Sequence, residues 1–146
     1  MKTRLLLTLA GLAIGFTVPT FAQEQNAVDP EVRQQIEAVL IKFDEAHNKG
    51  DATAMAALYT QDATQMLMGV MGTGTYSGQQ AMRKVTQPNS HRSPPECVDK
   101  LVQLYAIGNE MAAISKWNCG IYKGYSVKIY VREADTWKIR MEYVSR

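Results

Sequence analysis

The sequence predicts an α+β domain, with helices packed on one face of a curved antiparallel sheet, and three observations carry that prediction. Between Asp29 and Val85 the chain holds segments whose apolar residues recur at three- and four-residue steps. From Cys97 onward it holds four stretches rich in β-branched and aromatic residues, separated by turns containing Gly, Asn or Asp. Helices followed by consecutive strands, rather than alternating with them, favour an α+β layering over a parallel sheet.

The chain opens with MKTR, continues as LLLTLAGLAIGFTVPTF and reaches Thr20-Phe21-Ala22 before the polar run QEQNAVDPE. A basic start, an apolar stretch and small residues before a cleavage point after Ala22 predict a secretory signal peptide over 1–22, and so a periplasmic or secreted protein. The apolar stretch contains Gly11, Gly15, Thr17 and Pro19 and is short for a spanning helix. Removing Lys2 and Arg4 lowers the basic count from 16 to 14, equal to the 14 acids. A neutral mature chain without a basic stripe argues against nucleic acid as a partner. No second long apolar run points to a membrane after cleavage. Residues 23–146 are the length of one domain with one core.

Asp29-Pro30-Glu31 supplies an N-cap, a first-turn proline and a first-turn acid. Val32, Ile36, Val39, Leu40, Phe43 and His47 then mark one face of a long helix that Gly50 ends. Asp51 caps a second, short helix, ATAMAALY, and Thr64 to Met68 reads as a strand. The glycine-rich MGVMGTGTYSG reads as turn or loop, and Gln79 to Val85 as a third helix. QPNSHRSPPE, with three prolines, cannot extend it. CVDKLVQLYA, EMAAISKWNC, YSVKIYVRE and TWKIRMEYV complete the sheet, separated by Ile107-Gly108-Asn109, Gly120 to Gly124 and Ala134-Asp135.

In an oxidising compartment Cys97 and Cys119 are expected to pair, the alternative being two buried thiols. With a three-residue hairpin loop at Ile107-Gly108-Asn109, Ala106 faces Glu110 and the ladder count brings Cys97 opposite Cys119. A structural disulfide pinning this hairpin is the expectation. No CxxC spacing suggests redox catalysis.

The runs IEAVLIKFDEAHNKGDATAMAALYTQDAT, YSGQQAMRKV and DTWKIRMEYV resemble the nuclear transport factor 2-like superfamily, in its SnoaL-like and ketosteroid-isomerase-like branch, over nearly all of 23–146. The resemblance implies a cone-shaped barrel of curved antiparallel sheet, three helices on its concave side, a pocket between them and often a homodimer. It does not carry one activity with it. The steroid isomerases' oxyanion-hole tyrosine falls on Phe43, their general-base aspartate on Leu67, and their second aspartate near Val127-Lys128. Phe43 and Leu67 can neither accept a proton nor hold an oxyanion, which argues against that mechanism. Epoxide-hydrolase-like members activate water with an Asp-Arg-Asp arrangement, which the sequence alone does not place: Asp44 lies a quarter turn from Phe43, and Arg83 falls on the outer face of its helix.

The pocket lining expected from this alignment and from strand alternation is Phe43, His47, Tyr59, Leu67, Met82, Trp117, Trp137, Ile139, Met141 and Tyr143. His47, one turn after Phe43, is the candidate catalytic residue, as general base or ligand partner; a helix-end histidine serving the last carbonyls is the plainer alternative. His91 falls in the Pro-rich loop. Lys128, Tyr130 and Arg132 are expected on the outer sheet face.

QMLMGVMGTG, residues 65 to 74, raises the possibility of a soft-metal site through Met66 and Met68. Core filling is the favoured explanation of these methionines, then ligand contact, then metal. The composite expectation is an exported domain that binds a small apolar or aromatic molecule in a largely apolar pocket, as a homodimer, with no cofactor and no metal. A lyase, isomerase or hydrolase using His47, a copper binder and an interaction module without a ligand are the alternatives.

Overall fold

The computed structural model describes residues 28–69, 73–86 and 96–145. The expected signal segment, Met71 and His91 lie outside these residues.

Helix α1 (Pro30–Lys49) begins where expected: the Asp29 carboxylate accepts the Glu31 N–H at 2.8 Å. It ends at Gly50, whose φ of 66° is the left-handed conformation glycine adopts without cost, and whose N–H returns to the Ala46 and His47 carbonyls. Asp51 caps α2 (Ala52–Ala57) by accepting the Thr53 and Ala54 N–H groups. The helix stops short of the predicted Tyr59 because the Leu58 carbonyl is taken by the Ile139 N–H at 2.8 Å, and the chain passes directly into the sheet.

Strand β1 (Tyr59–Met68) therefore starts before the predicted Thr64. Part of the glycine-rich stretch read as loop is a strand, β2 (Gly74–Ser77), paired with β1 from Thr64↔Ser77 to Leu67↔Gly74. Helix α3 (Gln79–Thr86) follows, then β3 (Cys97–Ile107), β4 (Glu110–Cys119), β5 (Tyr122–Glu133) and β6 (Thr136–Ser145). Among the described residues the strands form one open sheet in the order β2-β1-β6-β5-β4-β3. It is mixed rather than wholly antiparallel, since β1 runs parallel to β6. The α+β architecture with helices on one side of the sheet is as predicted; α1 packs on β3 and β6, and α2 and α3 on β1.

Cys97 does face Cys119, and a disulfide joins them. The route differs from the prediction. The hairpin has a two-residue Gly108-Asn109 loop pairing Ile107 with Glu110, and a bulge between Leu101 and Gln103 restores the register before the cysteines. Tyr122 already pairs with Cys119, so Gly124 lies inside β5 and not in a turn. A Cβ there would stand 2.2 Å from the Ser145 carbonyl oxygen and 2.6 Å from the Trp117 ring, which is why only glycine fits.

A second bulge reverses part of the predicted sheet. Ile129 pairs with Met141 and Tyr130 with Ile139, leaving Arg140 as the extra residue. Trp137 and Ile139 are buried as expected, but beyond Arg140 the alternation slips by one. Met141 is 50% exposed on the outer face, with the half-buried Tyr143 beside it, and Glu142 points inward. Lys128 and Tyr130, expected outside, are both buried on the inner face, while Arg132 is exposed.

The apolar core lies between α1 and the sheet and includes Ile36, Val39, Tyr59, Leu104, Met111, Trp137 and Ile139. A smaller cluster of Trp117, Cys97 and Cys119 closes one end, with Tyr122 and Val144 against it.

Candidate functional site

The inner face of the sheet carries a row of polar residues across its middle. Gln65 of β1 pairs with Glu142 of β6, Glu142 with Lys128 of β5, and Lys128 with Ala113 of β4. Lys128 and Glu142 are each 1% exposed, so their charges had to be removed from water and require partners. The Lys128 ammonium donates to Asp99 of β3 at 2.7 Å and to Ser126 at 3.0 Å, and lies 3.1 Å from the other carboxylate, Glu142. Two of these contacts are hydrogen bonds and the third is an ion pair. Its charge also sits 4.6 Å from the centre of the Phe43 ring.

Glu142 is held from the other side. Tyr59 donates its hydroxyl to Glu142 Oε2, and the Gln65 amide donates to the same oxygen at 2.7 Å. That bond fixes the Gln65 amide with its nitrogen toward the carboxylate and its Oε1 away from it. Gln65 Oε1 and the Tyr130 hydroxyl are buried and have no hydrogen-bond partner among the described residues. Ser115 and Ser126 share a hydrogen bond at 2.8 Å below Lys128.

Helix α1 contributes Phe43, Asp44 and His47. Asp44 accepts the backbone N–H of Asp99 at 2.8 Å. Burial pushes its carboxyl up to about 6; the hydrogen bond from Asp99 opposes this, the Asp99 charge adds to it and the Lys128 charge again opposes. Burial lowers the His47 imidazole below its usual value against the pull of Asp99 and Glu142, which keeps it neutral near pH 7. Burial and the neighbouring Glu142 hold the Tyr59 phenol protonated, as a donor. Burial alone would push the Lys128 ammonium down, but Glu142 and Asp99 outweigh it and hold it above the ordinary lysine range.

Of the predicted lining, Phe43, Tyr59, Trp137 and Ile139 come together in the main core, with the Phe43 and Tyr59 rings 6.4 Å apart. Leu67 is buried on the inner face, and Trp117 sits with the disulfide at one end. Met82 lies in α3, its side chain outside the described set. Met141 and Tyr143 belong to the outer face. Met66 and Met68 are also there, 41% and 51% exposed, so the core-filling explanation fails for both. They are on the opposite side of the sheet from His47, which cannot join them on a metal. A groove of about 330 Å³ beside Lys42, Glu45 and Lys49 of α1 shares none of the inner polar residues.

Sequence reasoning missed Asp99, Lys128, Glu142 and Gln65. Strand alternation was read without the bulge, and charged side chains were assigned outward by default. The discernible signal was no more than the opposite charge of Lys128 and Glu142 on neighbouring strands, because the turn at Ala134-Asp135 alone would set Lys128 opposite Met141 and the bulge at Arg140 is what shifts its partner to Glu142.

Solved structures share this architecture. An NTF2-like protein of unknown function from Shewanella oneidensis MR-1 superposes with a TM-score of 0.67 at 17% identity, covering 79% of this chain and 99% of its own. The chain has the nuclear transport factor 2-like fold. A second such protein, from Shewanella baltica OS155, gives 0.64 at 18% identity over 82% of this chain and 97% of its own. A ketosteroid isomerase-like protein from Erwinia carotovora atroseptica SCRI1043 gives 0.62 at 17% identity over 80% and 97%. A cystatin-like-fold domain of unknown function from Nostoc punctiforme gives 0.68 at 11% identity over 82% and 79%. No protein-family sequence model matches the chain, and no curated protein sequence matches it either.

Proposed function

We propose that this protein is an exported, SnoaL-like small-molecule binder whose ligand seats against the inner polar row. The observation that carries the reading is that, of the three buried side-chain atoms without hydrogen-bond partners among the described residues, Gln65 Oε1, the Tyr130 hydroxyl and Trp117 Nε1, the first two lie beside a charge cluster whose lysine is paired with both carboxylates. Leaving such atoms unmet costs about 1–3 kcal/mol each, a cost a ligand offsets by supplying a hydrogen bond. Gln65 Oε1 only accepts, so the ligand carries a hydroxyl or amine donor on an otherwise apolar or aromatic body that suits Phe43 and Leu67. The disulfide suits the oxidising compartment that the signal-like N-terminus implies. The exposed outer-face side chains Met66, Tyr125, Val127 and Met141 suit burial against a second copy of the chain.

Native mass spectrometry of protein purified from the periplasm tests the reading. A co-purified organic molecule that is retained by the wild type and lost from Tyr130→Phe supports it. A chain that carries nothing and shows no thermal shift across a library of hydroxyl-bearing hydrophobic compounds sinks it.

A second reading, acid–base catalysis, is favoured by the Asp99–Lys128–Glu142 line with neutral His47 close by. The line parallels the Asp-Arg-Asp arrangement of the epoxide-hydrolase-like members, with lysine in place of arginine and glutamate in place of one aspartate. Unchanged turnover of an identified substrate by His47→Ala would remove His47 from that role.

A further inference from the structure

At the closed end of the sheet, beside Trp117, three metal-ligating side chains converge. One ring nitrogen of His47 and the sulfurs of Cys97 and Cys119 all lie within 4.8 Å of one another, with both cysteines buried. We propose that reduction of the Cys97–Cys119 disulfide opens a zinc-type metal site made of these two thiolates and His47.

The geometry fits a tetrahedral ion with one position left open. At Zn–S of about 2.3 Å and Zn–N of about 2.0 Å, ligand atoms stand about 3.5–3.8 Å apart, inside the observed spread. Once their bond is broken, the two sulfurs must separate to about that distance, which is ordinary non-bonded contact, and side-chain rotation suffices for it.

What sets this group apart from any disulfide with a nearby histidine is that its frame does not depend on the disulfide. Asn48, next to His47, grips the backbone of Cys97 with both ends of its amide. Its Oδ1 accepts the Cys97 N–H at 2.7 Å and its Nδ2 donates to the Cys97 carbonyl at 2.8 Å. The helix end carrying His47 is thereby fixed to the strand carrying Cys97. Cys119 is fixed opposite Cys97 by the β3–β4 ladder and on its other side by Tyr122 of β5. When the sulfur–sulfur bond opens, these contacts still hold the backbone of all three residues, and only the cysteine side chains need to rotate.

The chemistry balances. A dithiol reductant transfers two electrons and two protons to the disulfide through thiol–disulfide exchange, becoming a disulfide itself and leaving two thiols here. A divalent ion then displaces both thiol protons and binds neutral His47 through its ring lone pair. The oxidised and metal-bound states exclude each other, since both use the same sulfurs. The same residues thus serve as a staple under oxidising conditions and as a metal site under reducing ones.

The test uses the mature chain, reduced with a phosphine, freed of it under argon, and titrated with Co²⁺ as a spectroscopic stand-in for zinc. The expected result is one Co²⁺ per chain with thiolate-to-cobalt charge-transfer absorption, bleached by Zn²⁺ and absent from the oxidised protein. His47→Gln should weaken Co²⁺ binding by at least about tenfold and alter the visible bands. Bound Zn²⁺ should also slow the return of the disulfide, followed as a mass loss of two hydrogens. If the reduced chain loses secondary structure, its recovery on adding Zn²⁺ is the supporting readout. Absence of the charge-transfer band together with no recovery of structure, or a His47→Gln protein with the wild-type spectrum and affinity, overturns the proposal.

Discussion

Two rows of side chains one residue apart on the same three strands have opposite character. Inside run Gln65, Glu142 and Lys128; outside, on an adjacent residue of each strand, run Met66, Tyr143 and Val127. The charged row is buried and the apolar row is open, with Met68, Tyr125 and Met141 extending it. The usual placement is inverted, and the reasons differ on the two sides. The inner charges are tolerated because each has hydrogen-bonded partners of opposite sign or polarity, and those partners come from strands that the sheet holds in fixed register. The outer apolar side chains need no internal partner; they become favourable only when something covers them.

The contrast is broken most severely by Lys128→Met, which leaves Asp99 and Glu142 facing each other without a cation. Urea unfolding should show a loss of about 3–5 kcal/mol, the cost of an unpaired buried charge. A loss below 1 kcal/mol would mean the inner row is not a coupled unit.

Tyr130→Phe works in the opposite direction. It removes a buried hydroxyl that has no partner among the described residues, so the ligand-free protein should gain about 1 kcal/mol while ligand retention falls. A destabilised variant would show that the hydroxyl is satisfied.

Asp44 gives the inner face a pH dependence with a defined sign. Its folded-state carboxyl titrates at about 6 against an unfolded value of 3.8, so the native state binds the proton more tightly. Its contribution to stability is fully present below 3.8 and is lost as pH rises through 6. Because Asp44 is only half-buried, solvent screening reduces the effect to on the order of 1 kcal/mol. Asp44→Asn keeps an acceptor for the Asp99 N–H and should flatten this slope, raising stability at pH 7 but not at pH 4. An unchanged pH profile by thermal melting would place the titration elsewhere.

The smallest stability effect is expected next door to the largest. Val127→Lys should change monomer stability by no more than about 0.5 kcal/mol, as for other exposed positions, while shifting the proposed dimer toward monomer in sedimentation. A large loss in the monomer would show that the outer row is packed from within.

The elements legible in the sequence were those whose signals are local. Asp29-Pro30-Glu31, Gly50 and Asp51 each act within one turn of helix, and α1 and α2 begin where they indicate. The disulfide partners were identified through two offsetting errors: the loop was read as one residue too long, and the bulge at Val102 adds that residue back. No such compensation occurred at Arg140, so the predicted faces of Met141, Glu142 and Tyr143 came out reversed. A bulge is specified by pairing between distant strands and leaves little trace in its own strand's sequence. The site suffered most, because Lys128 and Glu142 depend on that one register shift. The start of β1 was missed for a similar reason, since what ends α2 is the Ile139 N–H, far away along the chain.

The place of β6 in the sheet also bears on how the protein is made. The strand order puts β6 between β1 and β5, so the β1–β2 hairpin and the β3–β5 meander share no hydrogen bonds until it arrives. During synthesis from the N-terminus, both halves must therefore wait, and Glu142 reaches Lys128, Tyr59 and Gln65 only at that last step. In a chain exported unfolded, a fold whose joining strand follows all the others in sequence keeps the precursor from completing its sheet too soon.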